Sequence, residues 1–447
     1  MNFPFPKDFL FGAACSACQI ESACNEGGKG EDVGEHYFKL YPEKYCGGDP
    51  NNSADFYWHY REDIKKLKEM GLKILRFTIS WSRIYPNGPK EVCQAGIDYY
   101  SDLIDAIKEA GMVAFFDLFH CDLPYWVIEK GGIIDPEFSD WFCAYAKTCF
   151  EAFGDRVDYW ATVNEPSINC MGAYAYGINA PFMKDMEKGL LATHNMILTH
   201  YRVVRMYKSM GFHGKISAVL HVQPTYSLSL DPKDIAAADR DMEFYSGVWL
   251  DAMFLGRYPE VLLKYPWYKD KLPKNYEKEL RDNFIPSDFI GFNYYNPAFA
   301  RYVDNGELDY EIFANQELSQ DGYGFVQYPQ GLFDLLMYLK NKYPGVELMI
   351  TENGVGKKKW GNLEEEREDD YRVTYLREHL REISRAYQAG APVTAYCHWS
   401  FMDTNELYAG GYNYMFGLMQ VNFETKERIP RKSFHYYKKV IENGMVD

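Results

Sequence analysis

No run in this 447-residue chain approaches the roughly 20 consecutive apolar residues that cross a bilayer. The opening Met1-Asn2-Phe3-Pro4-Phe5-Pro6-Lys7-Asp8 lacks the basic-then-apolar layout of a secretory signal. Both readings point to a cytoplasmic protein with no membrane partner. Positive charge is also scarce: 48 Lys and Arg against 64 Asp and Glu leave a net charge of −16. A nucleic acid or an anionic lipid surface would need a basic face, so a neutral small molecule is the better partner. The cluster Gly27-Gly28-Lys29-Gly30 is followed by no clear helix start, which weighs against a dinucleotide-binding open sheet. No candidate ligands cluster with metal-binding spacing, so neither metal nor organic cofactor is expected. Ten cysteines over this length do not make a disulfide scaffold, and a cytoplasmic setting keeps them reduced. Cys15 and Cys18 form a C-x-x-C without a second ligand pair or a thioredoxin-like context, and read as buried small hydrophobes. With no linker, repeat or low-complexity segment to divide it, 1–447 is expected to be one domain. Oligomeric state is not legible.

What is present is a recurring pattern, in which a helical stretch closes on a glycine and an apolar run follows. Phe56 to Met70 places apolar residues at 57, 60, 64, 67 and 70, and Gly71 then precedes Leu72-Lys73-Ile74-Leu75-Arg76-Phe77. Tyr99 to Ala110 ends at Gly111 before Met112-Val113-Ala114-Phe115-Phe116. Gly154, Gly211 and Gly390 punctuate in the same way before Val157-Asp158-Tyr159-Trp160, the run 215–220 and the run 392–396. Adding 9–13, 288–292 and 346–350 brings the strand count to eight, which fits a closed parallel (β/α)8 TIM barrel with extended βα loops. A doubly wound open sheet is the runner-up.

In such a barrel, chemistry collects at the C-terminal ends of the strands. Two glutamates fall there: Glu165 in Thr162-Val163-Asn164-Glu165-Pro166 and Glu352 in Ile350-Thr351-Glu352-Asn353-Gly354. Gln19, Arg76, His120, Tyr295 and Trp399 fall there too. Cleaving a glycosidic bond needs a proton on the leaving oxygen and negative charge beneath the anomeric carbon, which two carboxyls in unlike surroundings can supply. The surroundings do differ. Pro166 removes a backbone donor next to Glu165, while Thr351 and Asn353 flank Glu352.

The order of motifs resembles glycoside hydrolase family 1, the retaining β-glucosidase family on a (β/α)8 barrel, over nearly the whole chain. The resemblance runs through Phe9-Leu10-Phe11-Gly12, Gln19-Ile20-Glu21, the stretch from Arg76 to Ile84, and His120 with Asp122-Leu123-Pro124. It continues through Phe153-Gly154-Asp155-Arg156-Val157, Asn164-Glu165-Pro166, Gly291-Phe292-Asn293-Tyr294-Tyr295 and Thr351-Glu352-Asn353-Gly354. Trp399-Ser400-Phe401-Met402-Asp403 and the run 428–433 complete it. It implies that Glu165 is the general acid/base and Glu352 the nucleophile, with carboxyls about 5 to 5.5 Å apart. Arg76 and Tyr295 would contact the nucleophile, and Asn164 the sugar 2-hydroxyl. Asn293 would be a substrate-binding residue. Gln19, His120 and Glu406 would bind the remaining glycone hydroxyls above Trp399.

The departures are informative. Cys121 and Leu407 stand where the family usually has Trp, Asn405 replaces an aromatic, and Phe325 takes the place of the Trp bordering the leaving-group site. Losing the first two indoles should widen the 3-hydroxyl corner of the glycone pocket, unless Tyr408 or Tyr412 compensates. A 6-phospho-β-glycosidase would usually carry Ser in place of Glu406, and Lys and Tyr where Asn413 and Met415 stand. The run Lys357-Lys358-Lys359 reads as solvated surface, with attraction of an anionic leaving group as the alternative. A plant-type thioglucosidase would lack Glu165. A binding protein without catalysis, and transglycosylation, remain the other readings.

Overall fold

The computed structural model describes residues 3–313, 324–358, 364–407 and 411–447. Eight parallel strands close into a barrel in chain order. They are β1 (Leu10–Ala14), β2 (Ile74–Thr78), β3 (Val113–Asp117), β4 (Tyr159–Asn164), β5 (Lys215–His221), β6 (Phe289–Asn293), β7 (Glu347–Asn353) and β8 (Val393–Trp399). The β8–β1 pair closes the ring. Outside it lie α1 (Phe56–Met70), α2 (Gln94–Glu109), α3 (Phe138–Phe153), α4 (Met186–Met210), α5 (Val248–Leu255), α6 (Pro329–Lys342), α7 (Asp370–Gln388) and α8 (Lys432–Asn443). This is the (β/α)8 barrel, and the open doubly wound sheet is excluded by its closure.

The alternation expected from sequence has a direct cause. In α1, Ile64, Leu67 and Met70 share one buried stripe at helical spacing, and the helix ends at Gly71 with φ +92°. Gly111, Gly211 and Gly390 also take positive φ. Gly154 does not. Its φ is −62°, and an added Cβ would meet the Phe212 ring at 2.6 Å, so close packing rather than backbone twist demands glycine there. In the acidic run 364–370, Asp370 begins α7, while Asp369 is buried against Arg372 and Ser433.

Two cores follow from the two-residue period of the strands. Leu75 and Phe77 of β2 face the helices, while Ile74 joins Phe115, Ala161, Val219 and Met349 in the barrel interior. Arg76 shares the parity of Ile74 and so points inward. Two strands break the period near their ends. From Ala161 inward, strict alternation would turn Val163 in and Asn164 out. Instead the β4–β5 register shifts between Ala161 and Asn164, and Val163 packs on the helix side. From Met349 inward, Glu352 would face out, but β7 shifts against β6 between Ile350 and Glu352. Such bulges re-aim side chains, and here they sit beside the two candidate glutamates.

Candidate active site

At the C-terminal mouth of the barrel, Arg76 is the hub of a buried polar network. Its Nη1 donates to Glu352 Oε1 at 2.6 Å and to the Thr351 carbonyl at 3.3 Å. Its Nη2 donates to Asn164 Oδ1 at 2.7 Å, and its Nε to Asp117 Oδ1 at 3.1 Å. The Tyr295 hydroxyl donates to the other Glu352 oxygen at 2.8 Å. Arg76 and Asp117 are each 1% exposed and Glu352 3%. Arg76 and Asp117 balance as a pair, which leaves Glu352 as the uncompensated charge. Burial accordingly pushes the Glu352 carboxyl above the ordinary glutamate range, with Arg76 pulling it back and Glu165 adding to the rise. Burial, and then Glu352 and Glu165, push the Tyr295 phenol far up, so it stays a donor.

Glu165 follows β4 directly and is held differently. Its backbone is left-handed at φ +43°, a conformation that costs a non-glycine residue roughly 1–2 kcal/mol. Its amide donates to the Val219 carbonyl at 2.8 Å, and the π-helix Ile168–Ala175 begins three residues on. The Asn293 amide donates to Glu165 Oε1 at 2.8 Å and to Asn164 Oδ1 at 3.0 Å. Thr351 fixes that amide by donating to Asn293 Oδ1 at 2.8 Å. Asn164 Nδ2 donates to His120 Nε2 at 3.2 Å, which places the imidazole proton on Nδ1, 3.4 Å from Asp117.

Glu165 and Glu352 open into one cavity of about 460 Å3, whose walls include Gln19, His120, Trp399 and Glu406. Tyr295 and Phe325 also line it, with ring centroids 5.5 Å apart. His120 and Trp399 stack at 5.6 Å and 16°. Ser16 donates to Gln19 Oε1 at 2.5 Å, and Thr404 to Glu406 Oε1 at 2.5 Å. Burial lifts Glu406 to about 7, against hydrogen bonds from Thr404 and Trp399. Arg76, Asn164 and Asn293 lie in the network behind the cavity wall rather than on it.

Cys121 and Leu407 line the cavity together with Cys18, whose Sγ lies 3.8 Å from the His120 carbonyl. Cys18 was expected as a mere buried hydrophobe; its half-buried place at this corner corrects that. Asn405 turns away, its Oδ1 against Gly48 and its backbone N–H donating to the Gln19 carbonyl at 3.0 Å. Tyr412 cannot stand in for a lost indole, because its hydroxyl donates to the Asp49 carbonyl at 3.0 Å and its ring packs on Phe423. Tyr408 lies outside the described residues, as does Lys359. Lys357 sits over the Tyr371 ring, 4.8 Å from its centroid.

Sequence reasoning missed Asp117, although it ends β3 as the same strand-end logic required. It also missed His221 and Tyr245, joined at 2.6 Å on the cavity wall. Among the described residues no three His, Cys, Asp or Glu are arranged to hold a metal, and no helix is long and apolar enough to cross a membrane.

Comparison with known proteins bears on the family and the fold. The family model described as Glycosyl hydrolase family 1 matches residues 1–445. The chain is 37% identical over 445 residues to Beta-glucosidase A of Acetivibrio thermocellus, covering 98% of each. It is 32% identical over 462 residues to the 6-phospho-beta-glucosidase GmuD of Bacillus subtilis, covering 99% of this chain and 98% of that one. Among solved structures, a family 1 β-glucosidase from Thermotoga maritima superposes with a TM-score of 0.94 at 32% identity, each chain covered completely.

Proposed function

This chain belongs to glycosyl hydrolase family 1, and from that premise we propose that Glu352 attacks the anomeric carbon of a β-glycoside while Glu165 protonates the departing oxygen. The C–O bond to the aglycone breaks, the aglycone leaves as an alcohol, and an ester joins the sugar to Glu352. Glu165, now ionised, takes a proton from water as the water oxygen displaces Glu352, so the configuration at carbon is retained. The observation that carries this reading is the pair of donors on Glu352. Arg76 and Tyr295 hold both oxygens in one orientation, and forming the ester removes the one charge the buried Arg76–Asp117 pair leaves unbalanced. Asn293 orients Glu165, and Asn164, Gln19, His120 and Glu406 would receive the glycone over Trp399. Residues 1–447 act as one catalytic domain on this reading.

The substrate is a neutral glycoside rather than a phosphorylated one. Glu406 opens into the cavity without an ion pair among the described residues and in its ionised form would repel a phosphate, and Met415 is buried in a short strand pair with Lys357. The corner made by Cys18, Cys121 and Leu407 favours a glycone altered at its 3-hydroxyl edge. All ten cysteines are unpaired, the state a reducing compartment maintains, which supports a cytoplasmic setting.

Proton NMR of the first product formed from a 4-nitrophenyl β-glycoside tests the mechanism. The β-anomer should appear first, and initial release of the α-anomer would refute it. Rates across 4-nitrophenyl β-glycosides differing in the glycone test the corner, where unaltered preference for plain glucoside ends that part of the reading.

A further inference from the structure

Strand β4 carries one residue too many just before the site. From Ala161, opposite Ser217 of β5, to Asn164, opposite Val219, it takes three steps while its neighbour takes two. Thr162 and Val163 therefore both face the helices, and Asn164 faces in. Val163 meets apolar side chains there. Thr162 has a harder place, because its hydroxyl is buried, with the residue 1% exposed, where only a polar partner offsets the loss of water.

That partner is His200 of α4. Its Nδ1 lies 2.8 Å from the Thr162 hydroxyl and its Nε2 2.9 Å from the Ser287 hydroxyl. Around it on α4, Met196, Ile197, Val203 and Val204 are all buried and apolar. Burial, with a smaller push from Lys208, brings the His200 ring down to about 3. The ring thus stays neutral and can donate through one nitrogen while accepting through the other. His200 is outside the cavity wall and takes no part in the bond-making steps. Ser287 leads into β6, whose far end carries Asn293, the donor to Asn164 Oδ1 and Glu165 Oε1. One ring therefore ties the bulged strand to the strand whose amide orients Glu165.

The two carboxylates depend on this tie unequally. Glu352 is held from outside β4, by Arg76 and Tyr295. The Glu165 carboxyl has Asn293 alone among the described residues, so its place is set chiefly by the backbone that follows the bulge. Resting on the glycosidase reading above, we propose that His200 is a positioning residue for the acid/base step, holding the β4 bulge through Thr162 and so fixing where Glu165 meets the departing oxygen.

The test uses Thr162→Val, which keeps the branched shape and deletes the hydroxyl, and His200→Phe, which keeps a flat ring without nitrogens. In each, kcat/KM for 4-methylphenyl β-glucoside, whose leaving group needs a proton, should fall about tenfold relative to 2,4-dinitrophenyl β-glucoside, whose phenolate needs none. Both rates come from one preparation, so an unfolded fraction cancels in the ratio. His200→Gln, able to donate one bond and accept another, should recover most of the loss. An unchanged ratio in Thr162→Val would overturn the proposal, even where His200→Phe failed to fold. Crystals of Thr162→Val should show the Glu165 carboxyl displaced by about 1 Å with Glu352 in place. No displacement would overturn it as well. If the wild-type protein hydrolysed no glycoside, the catalytic reading would fall, and the crystal comparison would still decide whether this contact holds the bulge.

Discussion

Glu352 and Glu165 share one cavity, but the chain restrains them unequally. Glu352 has a donor on each oxygen, lies within a barrel strand and is 3% exposed. The Glu165 carboxyl accepts from Asn293 alone among the described residues, and the residue stands just past its strand on a left-handed backbone and is half-buried. A group that must bond to carbon at one fixed point gains from having no freedom. A group that must give a proton to a departing oxygen and later take one from water needs access to both.

If that contrast is right, removing each carboxylate should have consequences of a different kind. Glu352→Gln should lower kcat by at least about 10^4-fold whatever the leaving group, measured as steady-state hydrolysis. Glu165→Gln should cost roughly 10^2- to 10^4-fold with a methyl glycoside and little with a 2,4-dinitrophenyl glycoside, whose phenolate leaves unprotonated. Equal losses with both substrates would erase the distinction between the two groups. Loosening Glu352 alone sharpens it further. Tyr295→Phe removes one donor to a buried carboxylate, worth about 1.5–3 kcal/mol, and should reduce kcat/KM about 10- to 100-fold. The reduction should not depend on the leaving group's pKa.

The smallest effect concerns stability. Among the described residues Glu406 and Asp122 have no cation partner to match Arg76, and burial raises each of them to about 7. Their folded-state values lie above their ordinary values of 4.5 and 3.8. Between those values and 7 the folded state therefore binds more protons than the unfolded one, so stability falls as pH rises across that window. Glu406→Gln and Asp122→Asn should each flatten the fall and raise Tm by a few degrees at pH 8, as read by calorimetry. A Tm that climbs from pH 5 to 7 in the wild type and is unchanged in the variants would contradict the burial argument.

The barrel was legible because its strands are apolar on both faces and its helices end on glycine. All eight strands fall on the expected runs, yet each extends one to four residues past the apolar stretch. The extensions are where Asp117, Asn164, Asn293, Glu352 and Trp399 stand, since side chains of the proposed site replace core aliphatics where the strand opens into the cavity. The bulges in β4 and β7 were not legible, because a one-residue slip leaves no trace in composition while reversing which face a side chain occupies. Cys18 was hidden for a related reason. As a small residue beside Gln19 it looked like core, and only the absence of bulk at Cys121 and Leu407 exposes it to the cavity. The inward turn of Asn164 likewise depends on packing between segments distant in sequence.

The most direct measurement is covalent trapping. Incubation with 2,4-dinitrophenyl 2-deoxy-2-fluoro-β-glucoside slows both chemical steps but keeps a good leaving group, so the sugar ester should accumulate. Peptide mass spectrometry should then find one fluorosugar per chain, attached to Glu352. A label on Glu165, or inactivation with no covalent adduct, would contradict the assignment of nucleophile and acid on which the account rests.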